Sequence, residues 1–369
     1  METLYRRPLP EDTIAFASPE GQRLFGEALA AGGLGGYFAL AEQYQTQSDP
    51  AFCGLGSLVV ALNALAIDPG RLWKGPWRWF SEELLDCCVS LEQVRAQGVD
   101  LDTLACLARC NGAEAVVLRS DGIDELRRTI TQAAAGAGEV IIAAYDRQAL
   151  GQTGAGHFSP IGGYHAPSDR VLVLDVARFK YPPHWVPLTR LAAAMATIDP
   201  TTGRRRGALV VRRREGHQGI MLSLACAGAA WPEVARRLRE ALSRTWPADA
   251  SLSDVAASLV GLTEHCVARQ PETSAHAAAI AEVLGALRAT EAHRIASTVA
   301  SGSGADATAA LLLVFAGVHR GHDGDGDGVT LSRDLARIGG EAERIPALAA
   351  ELERLAAQSE AIRATWATA

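Results

Sequence analysis

A chain of 369 residues exceeds one ordinary domain and fits about two. A hydrophobic share of 48% against a charged share of 21% supports a packed core and excludes bulk disorder. A net charge of −7 excludes a nucleic-acid binder, which needs a concentrated excess of Lys and Arg. The one dense basic run, Arg204-Arg205-Arg206, is short and lies near the acidic Asp199.

Residues 1–16 carry no long apolar run behind their arginines, so they read as neither a secretory signal nor a membrane span. The expectation is a cytoplasmic chain without a membrane anchor. Seven cysteines, at 53, 87, 88, 106, 110, 226 and 266, are an odd number for a reducing compartment. They argue against a disulfide framework and for thiol chemistry, metal contact or burial.

In chain order, residues 54–65 read as a helix directly behind Cys53, because Leu55, Leu58, Val59, Leu62 and Leu65 mark one buried face. Helices are expected at 81–88, 101–110, 123–133 and 188–195. Strands are expected at 115–119, 140–145, 157–164, 171–176 and 207–211, with a turn-rich hairpin connection at 165–170. Helices first and an antiparallel sheet after them make an α+β fold, without the alternation of a parallel sheet. Composition changes near residue 215: from 217 onward Ala, Leu, Arg and Glu repeat at helical spacing. Two domains follow, a mixed one over 1–214 and a mostly helical one over 215–369, which could regulate the first.

Pro50 and its polar neighbours end a loop, so Cys53 falls in the first turn of a long buried helix. There the unpaired N–H groups and the helix dipole favour thiolate. The bland alternative is a buried, inert cysteine. Three features weigh against it. Gln47 lies six residues upstream, where papain-like enzymes place an oxyanion donor. His157 opens a strand behind Gly154 and Gly156. Asp175 ends an apolar strand 18 residues later, and a hairpin brings such a pair side by side. A thiol needs a base, and the base needs an orienting acceptor.

Longer motifs then resemble the phytochelatin synthase family. They are residues 45–55 around Cys53, residues 67–80 with three tryptophans, residues 153–164 around His157, and residues 174–187 around Asp175. The similarity runs from about Leu4 to Arg214 and looks closer to the eukaryotic two-domain form than to the short bacterial one. The resemblance implies a papain-like fold and an acyltransferase reaction. Cys53 would attack the Cys–Gly bond of glutathione and release glycine. The γ-Glu-Cys group would pass to glutathione or phytochelatin, making (γ-Glu-Cys)n-Gly for heavy-metal detoxification. His157 would be the base, Asp175 its partner, and Gln47 with the Cys53 N–H the oxyanion hole. Asp199 and Arg206 fall where the family holds the γ-Glu amine and carboxylate, and Gly156, Phe158 and Tyr181 fall at substrate-binding positions. Arg178 and Lys180 suit a second substrate; the plain reading is surface charge flanking a buried Phe179.

Cys87, Cys88, Cys106 and Cys110 also match plant-type positions. Cys106 and Cys110 share a helix face, where a soft metal such as Cd or Zn finds ligands; two thiolates do not complete a tetrahedral site, and burial as small apolar groups is the alternative. The resemblance implies no organic cofactor, with Cd or Zn acting partly as a metal–glutathione complex, and it allows a homodimer. Asp323, Asp325, Asp327 and Asp334 occupy positions 1, 3, 5 and 12 of a calcium-like loop, although Thr330 replaces the usual apolar residue and the last ligand is Asp. An acidic Gly-rich turn is the alternative there. Two other functions compete with transfer: hydrolysis of glutathione or its conjugates at the same site, and non-catalytic thiol or metal binding.

Overall fold

A computed structural model describes residues 5–69, 72–86, 89–119, 122–214, 222–224, 236–237, 239–241, 244, 246–247, 249–269, 277–319, 329–346, 348–349, 351–353, 355–356 and 359. Two compact units are present. One comprises residues 1–68, 79–85 and 91–214; the other comprises 69–78, 86–90 and 215–369.

The first unit is built on one seven-stranded antiparallel sheet. Its strands are β1 (Ile14–Ala15), β2 (Ala113–Leu118), β3 (Glu139–Asp146), β4 (Gly156–His165), β5 (Arg170–Val173), β6 (His184–Pro187) and β7 (Gly207–Arg213), in the order β1-β6-β5-β4-β3-β7-β2. Its helices are α1 (Pro19–Ala30), α2 (Tyr37–Gln43), α3 (Cys53–Ala64), α4 (Leu91–Gln97), α5 (Leu101–Cys110), α6 (Ile123–Ala134) and α7 (Leu188–Met195). The α+β order expected from sequence is the order found.

Local chemistry sets the helix ends. Ser18 caps α1 by accepting from Gly21 N at 3.0 Å, with Pro19 at the first helical position. Asp100 caps α5 by accepting from Asp102 N and Thr103 N, both at 2.8 Å. By contrast, α3 receives no side-chain cap from Phe52, so first-turn N–H groups remain available at the Cys53 end.

Strand β3 is buried along nearly its whole length, which explains its continuous apolar run. Ile141, Ala143 and Tyr145 join a core with Leu126 and Ile130 of α6 and Leu188 and Leu191 of α7. Helix α3 packs against β4 and β3. Gly54 makes that approach possible: a Cβ there would stand 2.4 Å from Val99 Cγ2 and 3.4 Å from a Phe158 ring carbon.

Two expectations need correction. Residues 81–88 are not an α-helix: a 3-10 turn spans Glu82–Leu84, and Cys87 and Cys88 lie outside the described residues. The strand expected to run to Val176 stops at Val173: Leu174 N still bonds Pro160 O of β4 at 2.9 Å, but Val176 O accepts from Gln47 N at 3.0 Å, outside the sheet.

The second unit is mostly helical among its described residues. Helices Leu252–Cys266, Ala277–Arg288, Glu291–Ala296, Ser303–His319 and Val329–Glu343 surround the apolar run of the fourth, whose Leu311 to Ala316 are all buried. A two-stranded ladder pairs Leu222–Leu224 with Val267–Arg269. Among the described residues, no helix is long and apolar enough to cross a membrane.

Candidate active site

Cys53 is the first residue of α3 and keeps a free, half-buried thiol. His157 is the second residue of β4, paired in register with Tyr145 of β3. Its Nε2 lies 2.9 Å from Asp175 Oδ1, which leaves Nδ1 for the thiol, and the imidazole acts electrostatically on the Cys53 side chain. His157 is 5% exposed and Asp175 0%. The carboxylate therefore cannot be solvated, and protein donors replace water. Asp175 Oδ1 also accepts from Arg147 Nη2 at 2.9 Å and Ala177 N at 2.9 Å. Its Oδ2 touches Arg147 Nη2 at 2.8 Å without receiving an aligned hydrogen bond.

These contacts set the protonation states. Burial works to raise the Cys53 thiol, but the neighbouring imidazole, the Phe158 N–H and the Arg147 charge together bring it below the ordinary thiol value. Burial works to lower His157, and the Asp175 charge outweighs it, so the imidazole is raised; Arg147 partly opposes this. Burial also works to raise Asp175, but His157 and Arg147 hold its carboxyl well below the usual carboxylate range. The pair thus leans toward thiolate and imidazolium.

Both partners face a cleft of about 480 Å³. Gly156 and Phe158 line it, as do Asp199, Arg206, Phe179 and Lys180. Asp199 lies inside the loop closed by the Ile198–Arg205 bridge and Arg206 directly follows it, and Arg206 Nη1 donates to Asp199 Oδ2 at 3.2 Å. Arg206 Nε is buried with no hydrogen-bond partner, a donor left open for a ligand. Gly156 is glycine for want of space: a Cβ would stand 2.3 Å from Arg206 Nη1. Gly154 has φ +109°, a conformation other residues rarely adopt, and Lys180 Nζ lies against it.

Other expected site residues lie elsewhere. Gln47 is 4% exposed and is not among the cleft-lining residues. Its amide nitrogen donates to Asp49 O at 2.8 Å and Pro50 O at 2.9 Å, shaping the loop before Cys53, while its N–H ties that loop to Val176 O at 3.0 Å. Tyr181 is buried under the Arg147 guanidinium, 5.0 Å from ring centre, and its hydroxyl accepts from Thr153 N at 2.8 Å. Arg178 stacks over the Tyr44 ring at 4.9 Å, outside the cleft lining. Phe179, expected to be buried between charges, is 40% exposed and lines the cleft.

Cys106 is disulfide-bonded, against the sequence expectation, and the Cys110 sulfur lies 4.0 Å from its sulfur. Among the described residues, no group of three or more His, Cys, Asp or Glu side chains is arranged to hold a metal. Of the calcium-like loop, Asp334 lies on the helix Val329–Glu343 and pairs with Arg337 at 3.1 Å, whereas Asp323, Asp325 and Asp327 lie outside the described residues.

Sequence reasoning missed Arg147, Gln152, His184 and Glu82. Only Arg147 carried a signal, as the second of two charges after the apolar run 140–145.

Fold and site together define a papain-like domain carrying a thiol–imidazole–carboxylate triad. The chain belongs to the phytochelatin synthase family, whose model matches residues 4–208. It is 51% identical over 240 residues to glutathione gamma-glutamylcysteinyltransferase 3 of Lotus japonicus, covering 64% of this chain and 50% of the relative. It is 49% identical over 247 residues to glutathione gamma-glutamylcysteinyltransferase 1 of Arabidopsis thaliana, covering 66% and 51%. The fission yeast Schizosaccharomyces pombe glutathione gamma-glutamylcysteinyltransferase is 38% identical over 260 residues, covering 70% and 62%. The chain spans about half the length of the plant relatives it matches.

Proposed function

We propose that the chain is an acyltransferase that moves γ-Glu-Cys from glutathione to a second glutathione or to phytochelatin. The observation that carries this reading is Cys53 and the Asp175-bonded His157 facing one cleft that also holds Asp199 and Arg206. The zwitterionic γ-Glu head needs one anion and one cation, and the Asp199–Arg206 pair opens to give both. In the first step Cys53 thiolate adds to the Cys–Gly carbonyl carbon. The oxyanion is met by N–H groups at the start of α3, and Gln47 joins them if its amide leaves the loop carbonyls. His157 gives its proton to the glycine nitrogen as the C–N bond breaks, leaving a Cys53 thioester. In the second step His157 takes a proton from the incoming α-amine. That nitrogen forms the new amide, and the thiolate leaves.

Lys180 and Phe179 supply the charged and apolar walls for the acceptor. A Cd or Zn bis-glutathionate is then a substrate, and its metal needs no resident protein site. Heavy-metal detoxification follows from the product, a multi-thiol peptide. A homodimer and a cytoplasmic location remain part of this reading.

The test is incubation of the pure full chain with glutathione, with and without Cd, and mass analysis of the products. Oligomers of γ-Glu-Cys are expected. Only γ-Glu-Cys with glycine would replace transfer by hydrolysis, and no turnover would leave a binding protein.

A further inference from the structure

The buried hydrogen-bonded chain does not end at Asp175. Arg147, 3% exposed, gives Nη2 to Asp175 and Nη1 to Gln152 Oε1 at 2.5 Å. Gln152, 4% exposed, turns its amide nitrogen to His184 Nε2 at 3.0 Å. His184, fully buried as the first residue of β6, has Nδ1 2.8 Å from Pro182 O. We propose that Gln152 and His184 are positioning residues of the thiol site, which act through Arg147 to hold Asp175 in the orientation His157 needs. The inference deepens the reading of Cys53, His157 and Asp175 as nucleophile, base and orienter, and rests on it.

The chemistry allows one arrangement. A carbonyl only accepts, so His184 Nδ1 carries the proton for Pro182 O. A primary amide nitrogen only donates, so His184 Nε2 must be bare. That places the Gln152 oxygen toward Arg147, which only donates. Burial lowers His184 below the ordinary imidazole value despite the nearby Asp175 charge, and the neutral tautomer is the one this chain requires. Four buried groups are thereby satisfied in sequence, and a break anywhere strands a partner.

The need for such a brace is local. Arg147 lines the cleft, and its long side chain has free volume on that side. Beside Asp175 itself, Gln152 and the Tyr181 ring oppose a swing into the cleft. A displaced guanidinium would leave Asp175 with two donors instead of three and free to turn. The groups facing His157 are Asp175, Arg147, Cys53, His184 and Tyr145. Loss of the Asp175 alignment therefore weakens the imidazolium, and with it the thiolate.

The experiment compares Gln152→Leu, His184→Phe and His184→Gln with the wild type in the full chain. Three quantities are read: the pH profile of Cys53 alkylation by iodoacetamide, kcat/KM with glutathione, and thermal stability. Gln152→Leu and His184→Phe should move the alkylation profile toward the ordinary thiol range. They should also lower kcat/KM on the order of 10- to 100-fold, the cost of a small misplacement. His184→Gln keeps an acceptor near the Nε2 position and should recover most of both. One folded variant of the first two suffices. Lower stability with an unmoved alkylation profile overturns the inference and leaves a purely structural role. A wild type with a low-pH alkylation profile but no turnover overturns the transferase reading; variants that still move that profile then support the brace.

Discussion

His157 Nε2 and Asp175 Oδ1 stand 2.9 Å apart across 18 residues of chain, one near the start of β4 and the other two residues past the end of β5. The same oxygen receives Arg147 and the Ala177 N–H, so the carboxylate is held from three sides. Asp175→Asn replaces a charged acceptor by a neutral amide whose nitrogen repels those donors. The expected loss is on the order of 10³- to 10⁴-fold in kcat. Steady-state kinetics on the folded variant checks it.

The thiol and imidazole should show opposite shifts. Cys53 is lowered, mainly because His157 overcomes the effect of burial, and His157 is raised by Asp175. The thiolate–imidazolium pair then exists above the lowered Cys53 value and below the raised His157 value. Acylation should follow a bell whose acid limb lies below the ordinary thiol range and whose alkaline limb lies above the ordinary imidazole range. Pre-steady-state glycine release across pH measures both limbs. An acid limb at the ordinary thiol position would refute the assignment.

Cys53→Ser should abolish glycine release, since a hydroxyl is not ionised by this imidazole. In the wild type, rapid acid quench should reveal a γ-Glu-Cys adduct on the peptide containing Cys53 by mass spectrometry. Substantial turnover by the serine variant would move the nucleophile elsewhere.

Gly156→Ala places a methyl group 2.3 Å from Arg206 Nη1, in a backbone conformation that alanine accepts. The Arg206 guanidinium must shift, which displaces the fork proposed to bind the γ-Glu carboxylate. A lost charge-assisted hydrogen bond is worth about 2 kcal/mol, roughly 30-fold in kcat/KM. Arg206→Lys should behave similarly, because an ammonium does not replace the guanidinium fork. Unchanged kinetics in both variants would remove Arg206 from the substrate site.

Glu82 is 6% exposed and accepts from Ser48 N at 3.1 Å and from Ser48 Oγ, bracing the loop that follows Gln47. Burial pushes its carboxyl up. A raised folded value contributes stability below the ordinary carboxylate range, and that contribution is lost as pH rises through the folded value. Glu82→Gln keeps an acceptor without charge, so it should equal or exceed the wild type at neutral pH and lose that edge in acid. Glu82→Ala strands the Ser48 donors and should cost about 1–3 kcal/mol. Denaturant unfolding at several pH values distinguishes these outcomes.

Most of the first unit was legible because its signals are local. The apolar spacing behind Cys53, the run at 140–145 and the Pro-containing turn at 165–170 each report on neighbours in sequence. Helix α1 escaped because most of its residues are exposed and its apolar face is short. The two-residue β1 and four-residue β6 escaped because pairing, not composition, makes them strands. The 81–88 segment misled because an apolar, acidic stretch carries helical propensity that its tertiary contacts override.

The sequence by itself singled out Cys53, His157 and Asp175 as the candidate nucleophile, base and carboxylate, because each sits at an element end marked by Pro, Gly or an apolar run. Only the tertiary structure decided what surrounds them. Arg147, Gln152 and His184 are three ordinary polar residues in sequence, and they become one buried chain when β3, the following loop and β6 converge. Gln47 likewise kept its place upstream of Cys53, while the fold turned its amide to the loop carbonyls. Local patterns report backbone conformation and burial. Hydrogen-bond partners across 28 or 32 residues depend on sheet register, which no local pattern encodes.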